Sequence, residues 1–249
     1  MYSIYSQICN EESLYIALIY RSHSERVENK ANRPFFDGQS LLDIKLKQLL
    51  NVFPASRIII VGDNEEELRE RWGGHVRDCR FITRDIDYMI GNDRPFSEVL
   101  THTYNLITET PGLSNVKHLL LTYPTCPTFA EQQYKNVIMS YREKVIFGEH
   151  DSVMTAVAKK GFFWYNGSEV NYTATAEGHQ YTQDINPVYE ADNCVWGGDF
   201  NTLLRSRYLI GDNPYFHEND LIHAVDVDTP EDFKRAQLIY GALQSEYSV

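Results

Sequence analysis

Residues 13–20, "SLYIALIY", form a short and nearly continuous apolar run. That is the pattern of a strand covered on both faces, because a half-exposed strand would alternate apolar with polar positions. After it, "QSLLDIKLKQLLNVF" (39–53) places Leu41, Leu42, Ile44, Leu46, Leu49 and Leu50 at helical spacing, which predicts a helix. "SRIIIVGD" (56–63) repeats the buried-strand pattern and ends in a Gly-Asp turn, and the "EEELRERW" that follows is built from strong helix formers. "CRFITRD" (79–85) predicts a third strand, "PFSEVLTHTYNLITE" (95–109) a helix, and "VKHLLLTYPTCPTF" (116–129) a strand running into a Pro-punctuated loop. Strands alternating with helices imply βαβ units, so the expected class is α/β, with a mainly parallel, Rossmann-like sheet flanked by helices in one domain over 1–249.

From about 150 to 200 the texture changes to shorter β-rich runs with Gly turns and many aromatics, as in "DSVMTAVAKKGFFWYNGSEVNYTA". This predicts a small excursion from the sheet, made of hairpins. "LIHAVDVDTPEDFKRAQLIYGAL" (221–243) returns to the earlier style, with a strand ending at "DVD" and then a helix. Thr229 is a good N-cap for it, Pro230 suits its first position and Asp232 its first turn.

Charge narrows the partners. Asp and Glu number 35 against 23 Lys and Arg, a net charge of -12, and that field repels nucleic acid polymers and anionic membranes. No apolar run approaches the ~20 residues needed to span a bilayer. "MYSIYSQICNEESLY" lacks the basic start and apolar core of a signal peptide, so the expected location is the cytoplasm. Cys9, Cys79, Cys126 and Cys194 are dispersed, with no zinc-ligand spacing, and read as free, partly buried thiols.

Against that acidic background, Arg21, Arg26, Lys30 and Arg33 crowd the loop that follows the first strand. Packing like charges together is unfavourable unless an anion sits among them. Arginine grips phosphate oxygens bidentately, lysine adds a mobile charge, and the hydroxyls of Ser22 and Ser24 extend the cradle. The plain alternative is a solvated loop paired with Glu25 and Glu28. Ligands of parallel sheets bind at the carboxyl ends of the strands, where this loop falls. In "DVDTP", Asp226 and Asp228 stand at strand spacing, so both carboxylates face one side. Such a pair repels itself unless a cation such as Mg2+ intervenes, the alternative being that Asp228 only helps to start the next helix. Together the two motifs point to a metal and a basic loop holding one polyphosphate, the machinery of nucleotidyl transfer. "IIIVGDN" lacks the GxGxxG spacing of a dinucleotide site.

The residues then carry a resemblance. "IALIYRSHSERVENKANRPFFDGQSLLD" resembles the signature loop of the cytidylyltransferases that activate acidic sugars, the acylneuraminate and Kdo type, with Arg21, Ser24 and Lys30 on its Arg, Ser and Lys. "LLLTYPTCPT", "DSVMTAV", "TQDINPVYEADNCVW" and "AVDVDTPEDFKRAQ" resemble later stretches of the same family in the same order, across most of residues 15 to 240. Ser22-His23 replace its usual Gly-Gly, Glu28 its Pro, Ala31 an Asn and Tyr123 a common Gln. The resemblance implies a nucleotide-diphospho-sugar transferase type of fold and transfer of CMP from CTP to an acidic sugar, with release of pyrophosphate. It implies Arg21 and Lys30 against the triphosphate, base contacts near Arg84 and Ser97, and Mg2+ on Asp226 and Asp228. It also implies a homodimer through the excursion, where "FFWYNG" (162–167) is too apolar to leave exposed. A different acid or phosphonate acceptor, or a catalytically silent nucleotide- or sugar-binding protein, are the alternatives.

Overall fold

The computed structural model describes residues 4–22, 24, 26–88 and 94–246. Its centre is a seven-stranded sheet with the order β11-β7-β10-β6-β1-β4-β5. The strands are β1 (Leu14–Ile19), β4 (Ile58–Gly62), β5 (Arg80–Thr83), β6 (His118–Thr122), β7 (Ser152–Lys159), β10 (Val188–Asp199) and β11 (Pro214–Glu218). β6, β1, β4 and β5 are parallel, β11 is parallel to β7, and β10 runs antiparallel to both its neighbours. Short ribbons β2 (Pro34–Phe36) with β3 (Gln39–Ser40), and β8 (Trp164–Tyr165) with β9 (Ser168–Glu169), lie outside it.

The absence of alternation in β1 has a direct explanation. Leu14, Ile16 and Leu18 join the apolar cluster on one face of the sheet, while Tyr15, Ala17 and Ile19 join that on the other. β4 divides in the same way, with Ile58 and Ile60 on one side and Ile59 and Val61 on the other. The first face is covered by α2 (Leu41–Leu50) and α5 (Glu131–Tyr141), the second by α4 (Phe96–Glu109) and α6 (Phe200–Ser206). α2 begins at a capping box in which the Ser40 hydroxyl and the Asp43 carboxylate each accept from the other's backbone N–H. α3 (Glu65–Trp72) follows β4, as its composition predicts, and α7 (Pro230–Glu246) starts at Thr229, whose hydroxyl accepts from Asp232 N–H at 3.1 Å. The mainly parallel α/β expectation therefore holds.

Two expectations are corrected. Most of the supposed excursion belongs to the main sheet: β7 and β10 pair antiparallel within it, and only residues 160–187 with the β8–β9 hairpin leave it. A bulge between Ala191 and Trp196 interrupts β10 and buries Asp192 beside Thr155, which breaks the apolar pattern that would have marked a sheet strand. The "DVD" segment is the second. It is extended but joins no sheet; Val227 N–H instead donates to the Thr125 carbonyl at 2.9 Å. The edge of the sheet beside β7 is formed by β11. A helix unannounced by periodicity, α1 (Ile4–Glu11), buries only Ile8 and Cys9. All four cysteines are free and buried, and burial pushes the Cys9 and Cys79 thiols up to about 12, which keeps them unreactive. Among the described residues no helix is long and apolar enough to cross a membrane.

Candidate active site

The carboxyl ends of β1, β5 and β6 open onto one cavity of about 710 Å³. Its first wall is the loop after β1, which Gly62 allows to start where it does: a Cβ there would lie within 2.8 Å of the Tyr20 ring. Tyr20 packs over that glycine and donates its hydroxyl to the Asn64 carbonyl at 3.0 Å. Asp63 then accepts from the Ser22 backbone N–H and, at 2.7 Å, from the Ser22 hydroxyl. The loop is thus pinned by the Gly-Asp turn that ends β4. Further on, the Ser24 hydroxyl donates to the Val27 carbonyl and accepts from Lys30 N–H, which ties the turn that carries Val27 and Lys30 back onto Ser24.

That turn aims Lys30 across the cavity mouth. Its ammonium donates to the Val227 carbonyl at 2.6 Å and to Asp228 at 3.2 Å, and only 14% of the side chain is exposed. Arg26, two-thirds exposed, pairs with the same Asp228 carboxylate at 3.4 Å. Asp226 stands on the same wall, accepting from Asn193 at 3.0 Å, while Val227 between them is buried in a cluster with Leu41, Ile44 and Phe233. The alternation expected of "DVD" therefore survives without a strand, because Val227 is fixed by packing and the two aspartates are left facing the cavity. Burial raises the proton affinity of Asp226, and the neighbouring Asp228 charge adds to that, against the Thr125 and Asn193 hydrogen bonds.

Arg21, Ser24, Lys30, Arg84, Asp226 and Asp228 all line this one cavity. Arg84 is buried, which lowers its pKa from the ordinary guanidinium value, while Tyr123 and Asp63 favour its charge. Two of the sequence-predicted residues are placed elsewhere. Ser22 is turned onto Asp63, and Ser97 stands exposed on the first turn of α4, where its neighbours Phe96 and Val99 reach the cavity instead. Arg33, the fourth cation of the loop, lies over the Phe233 ring at 4.9 Å and belongs to the packing of α7. Tyr123, singled out in the sequence for standing where the resembled pattern has Gln, lines the cavity; the residues that sequence reasoning missed are the other aromatics of that wall, Tyr88, Trp196 and Tyr208, and Asn193, which has a left-handed backbone in the β10 bulge (φ 59°). The clustered aromatics of the chain were visible, but nothing local marked which of them face inward.

No group of three or more His, Cys, Asp or Glu able to hold a metal occurs among the described residues. Asp226 and Asp228 are nevertheless hard oxygen donors on one wall, and their mutual repulsion is what a divalent cation relieves. They fit a cation that takes its remaining ligands from water and phosphate, as Mg2+ commonly does. Lys30 and Arg26 hold Asp228, so a divalent cation there would compete with these two side chains for one carboxylate.

Asp226 provides a stability test. In the ligand-free protein at neutral pH, Asp226→Asn is expected to raise the melting temperature by a few degrees, since it removes a charge that burial disfavours. The folded-state pKa of Asp226 is raised above its unfolded value, so its stabilising contribution is present at acid pH and is lost as pH rises through that window. The advantage of the mutant should therefore disappear below the ordinary carboxylate range. Thermal melts at neutral and acid pH read this directly; a mutant less stable at both would refute it.

No family model matches the chain, and no curated protein matches it either. Solved structures do. A 4-diphosphocytidyl-2C-methyl-D-erythritol synthase from Anaerococcus prevotii DSM 20548 aligns over 98% of this chain and 100% of its own, with a TM-score of 0.55 and 13% identity. The bifunctional IspDF from Campylobacter jejuni aligns over 89% of this chain with a TM-score of 0.57 and 12% identity, and this chain spans about half (53%) of that enzyme. At such identities the likeness is one of fold. The chain shares the α/β fold of these proteins, a mainly parallel sheet flanked by helices, with its candidate site at the carboxyl ends of parallel strands.

Proposed function

We propose that the cavity binds CTP with Mg2+ and transfers CMP to a small acidic acceptor, releasing pyrophosphate. The single observation that carries this reading is the meeting, at one cavity mouth, of Lys30 and Arg26 with Asp228 and Asp226. Cations from the first loop and carboxylates from a segment about two hundred residues later are what a metal-bound polyphosphate requires on opposite flanks. The fold supports it, since the A. prevotii protein is by name a synthase of a diphosphocytidyl product. In the reaction, the acceptor hydroxyl oxygen bonds to the α-phosphorus, the bond from that phosphorus to the bridging oxygen breaks, pyrophosphate leaves, and the hydroxyl proton passes to water.

Each residue has a task. Lys30, Arg26 and Arg21 neutralise the phosphates and hold the chain of phosphorus atoms in line. Asp226 and Asp228 would hold Mg2+, which supplies polarisation of the phosphoryl oxygens when bound. Arg84, with Tyr88, Tyr123 and Trp196, forms the deeper part of the cavity, where a planar base and an anionic acceptor find aromatic faces and a buried cation. For the acceptor we propose an acidic sugar, of the sialic acid-like 2-keto acid kind. The sequence resemblance supports that choice, and a different acid, a phosphonate or a sugar phosphate is the second reading, since Tyr123 and Ala31 depart from the resembled pattern within the cavity lining. We place the reaction in the cytoplasm and propose a homodimer in which the exposed rings of Phe162, Trp164 and Tyr165 lie at the contact.

Pyrophosphate release measured with CTP, Mg2+ and a panel of 2-keto sugar acids, sugar phosphates and phosphonates tests the reading. Turnover with one class identifies the acceptor. CTP binding with no turnover on any of them would establish a silent binding protein, and no binding of CTP would remove the proposal altogether.

A further inference from the structure

The loop that follows β6, "YPTCPTFA" (123–130), carries Pro124 and Pro127 and neither pairs as a strand nor winds as a helix. Its carbonyls are buried, and buried backbone acceptors need donors from somewhere. The donors come from α2. Lys45 is fully buried, and its ammonium donates to the Cys126 carbonyl at 2.8 Å and to the Phe129 carbonyl at 2.9 Å, while Gln48 Nε2 donates to the Pro127 carbonyl at 2.8 Å. The Tyr134 ring lies 4.9 Å from the same ammonium.

We propose that Lys45 and Gln48 form a clamp that positions the aspartate segment 226–228, and so act as positioning residues for the candidate active site. The link is short. Thr125, next in the chain to Cys126, offers its carbonyl to Val227 N–H at 2.9 Å, and the Cys126 thiol points at Asp226 at 3.9 Å. The 226–228 segment has no sheet to hold it; its backbone is held by this loop at the Val227 N–H, by Lys30 at the Val227 carbonyl and by the Asp232 carboxylate, which accepts from Asp228 N–H at 3.3 Å. Leu41 and Ile44 of α2 meanwhile pack on Val227 itself. One helix thus fixes both the loop under the aspartates and the valine between them.

A core-filling role alone does not account for Lys45. A leucine or methionine would fill the same volume without desolvating an ammonium. Among the described residues no carboxylate pairs with it, and burial pulls its pKa down to about 8. What compensates is the set of carbonyl acceptors and the aromatic face. α2 is itself held rigid, since Asp43 accepts from Trp72 Nε1 at 3.0 Å and from Arg71 in addition to closing its own capping box.

The kinetic half of the inference rests on the nucleotidyl-transfer reading; the structural half does not. Lys45→Met and, as a second variant should the first fail to fold, Gln48→Leu are compared with wild type by amide hydrogen exchange and by Mg2+ titration of turnover. The Val227 amide is expected to exchange at least about tenfold faster in Lys45→Met, and by a smaller factor in Gln48→Leu, with the β1 amides unchanged. The Mg2+ concentration giving half-maximal turnover should rise about tenfold while the KM for CTP stays within about twofold, because the ligands are misplaced while the basic loop is not. A lost packing contact would instead lower the melting temperature and leave both readings where they were. Wild-type protection of Val227 in the folded variants overturns the clamp. Faster exchange with an unchanged Mg2+ requirement overturns its role in the site. A wild type that never turns over CTP defeats the nucleotidyl-transfer reading, and Val227 exchange alone then decides the clamp.

Discussion

Asp228→Asn is expected to reduce Mg2+-dependent turnover of CTP about a hundredfold or more, while metal-free CTP binds as well as to wild type or better. The first effect follows from losing one of the two carboxylates that face the cavity. The second follows from the ion pairs: Asp228 holds Lys30 at 3.2 Å and Arg26 at 3.4 Å, and an amide releases both cations to the phosphates. The same geometry predicts that Mg2+ and CTP strengthen each other's binding, since CTP draws the cations away from the carboxylate that the metal needs. Calorimetric titration of CTP with and without Mg2+, beside a Mg2+ titration of turnover, checks all three. A mutant that keeps wild-type turnover at low Mg2+, or that loses metal-free binding in step with turnover, would leave Asp228 with only its local contacts beside α7.

Lys30→Ala is expected to lower turnover by a factor on the order of 10² to 10³ with the melting temperature changed by only a few degrees. Lys30 does two things at once. It brings a nearly buried positive charge to the cavity mouth, and it fastens the Val227 carbonyl between the two aspartates. Lys30→Arg should fail to restore activity, because a planar fork does not reproduce a point charge shared between a carbonyl and a phosphate. Since Lys30 and Asp228 touch, the double mutant should fall well short of the product of the two single losses. Activity within a few fold of wild type in Lys30→Ala, measured by pyrophosphate release, removes this lysine from the chemistry. Losses that multiply would show that the two residues act independently.

Much of this site was legible along the chain because its components are local. The charge of the loop after β1, the spacing of Asp226 and Asp228 around an apolar Val227, and the cap at Thr229 are properties of a few consecutive residues. β1, β4 and β6 are central strands buried on both faces, so uninterrupted apolar runs marked them, and α2 was marked by its period. Local pattern also misled in a defined way. "AVDVD" reads as a strand by composition, but strand formation needs a partner edge, and β11 and not this segment lies beside β7.

What the sequence determined by itself, then, was the α/β class, the order of its first strands and helices, and the local charge patterns of the first loop and of the aspartate pair. Only the tertiary structure decided that Ser22 serves Asp63, that Arg33 packs on Phe233, that Ser97 is replaced at the cavity by Phe96 and Val99, and that Tyr88, Trp196 and Tyr208 close its far side. It alone reversed β10, and it alone brought Lys45 under the loop that carries Thr125. The physical reason is common to these cases. Each depends on a contact between residues far apart in the chain, whose closure is set by how the layers pack, whereas propensity, period and capping act over one or two turns.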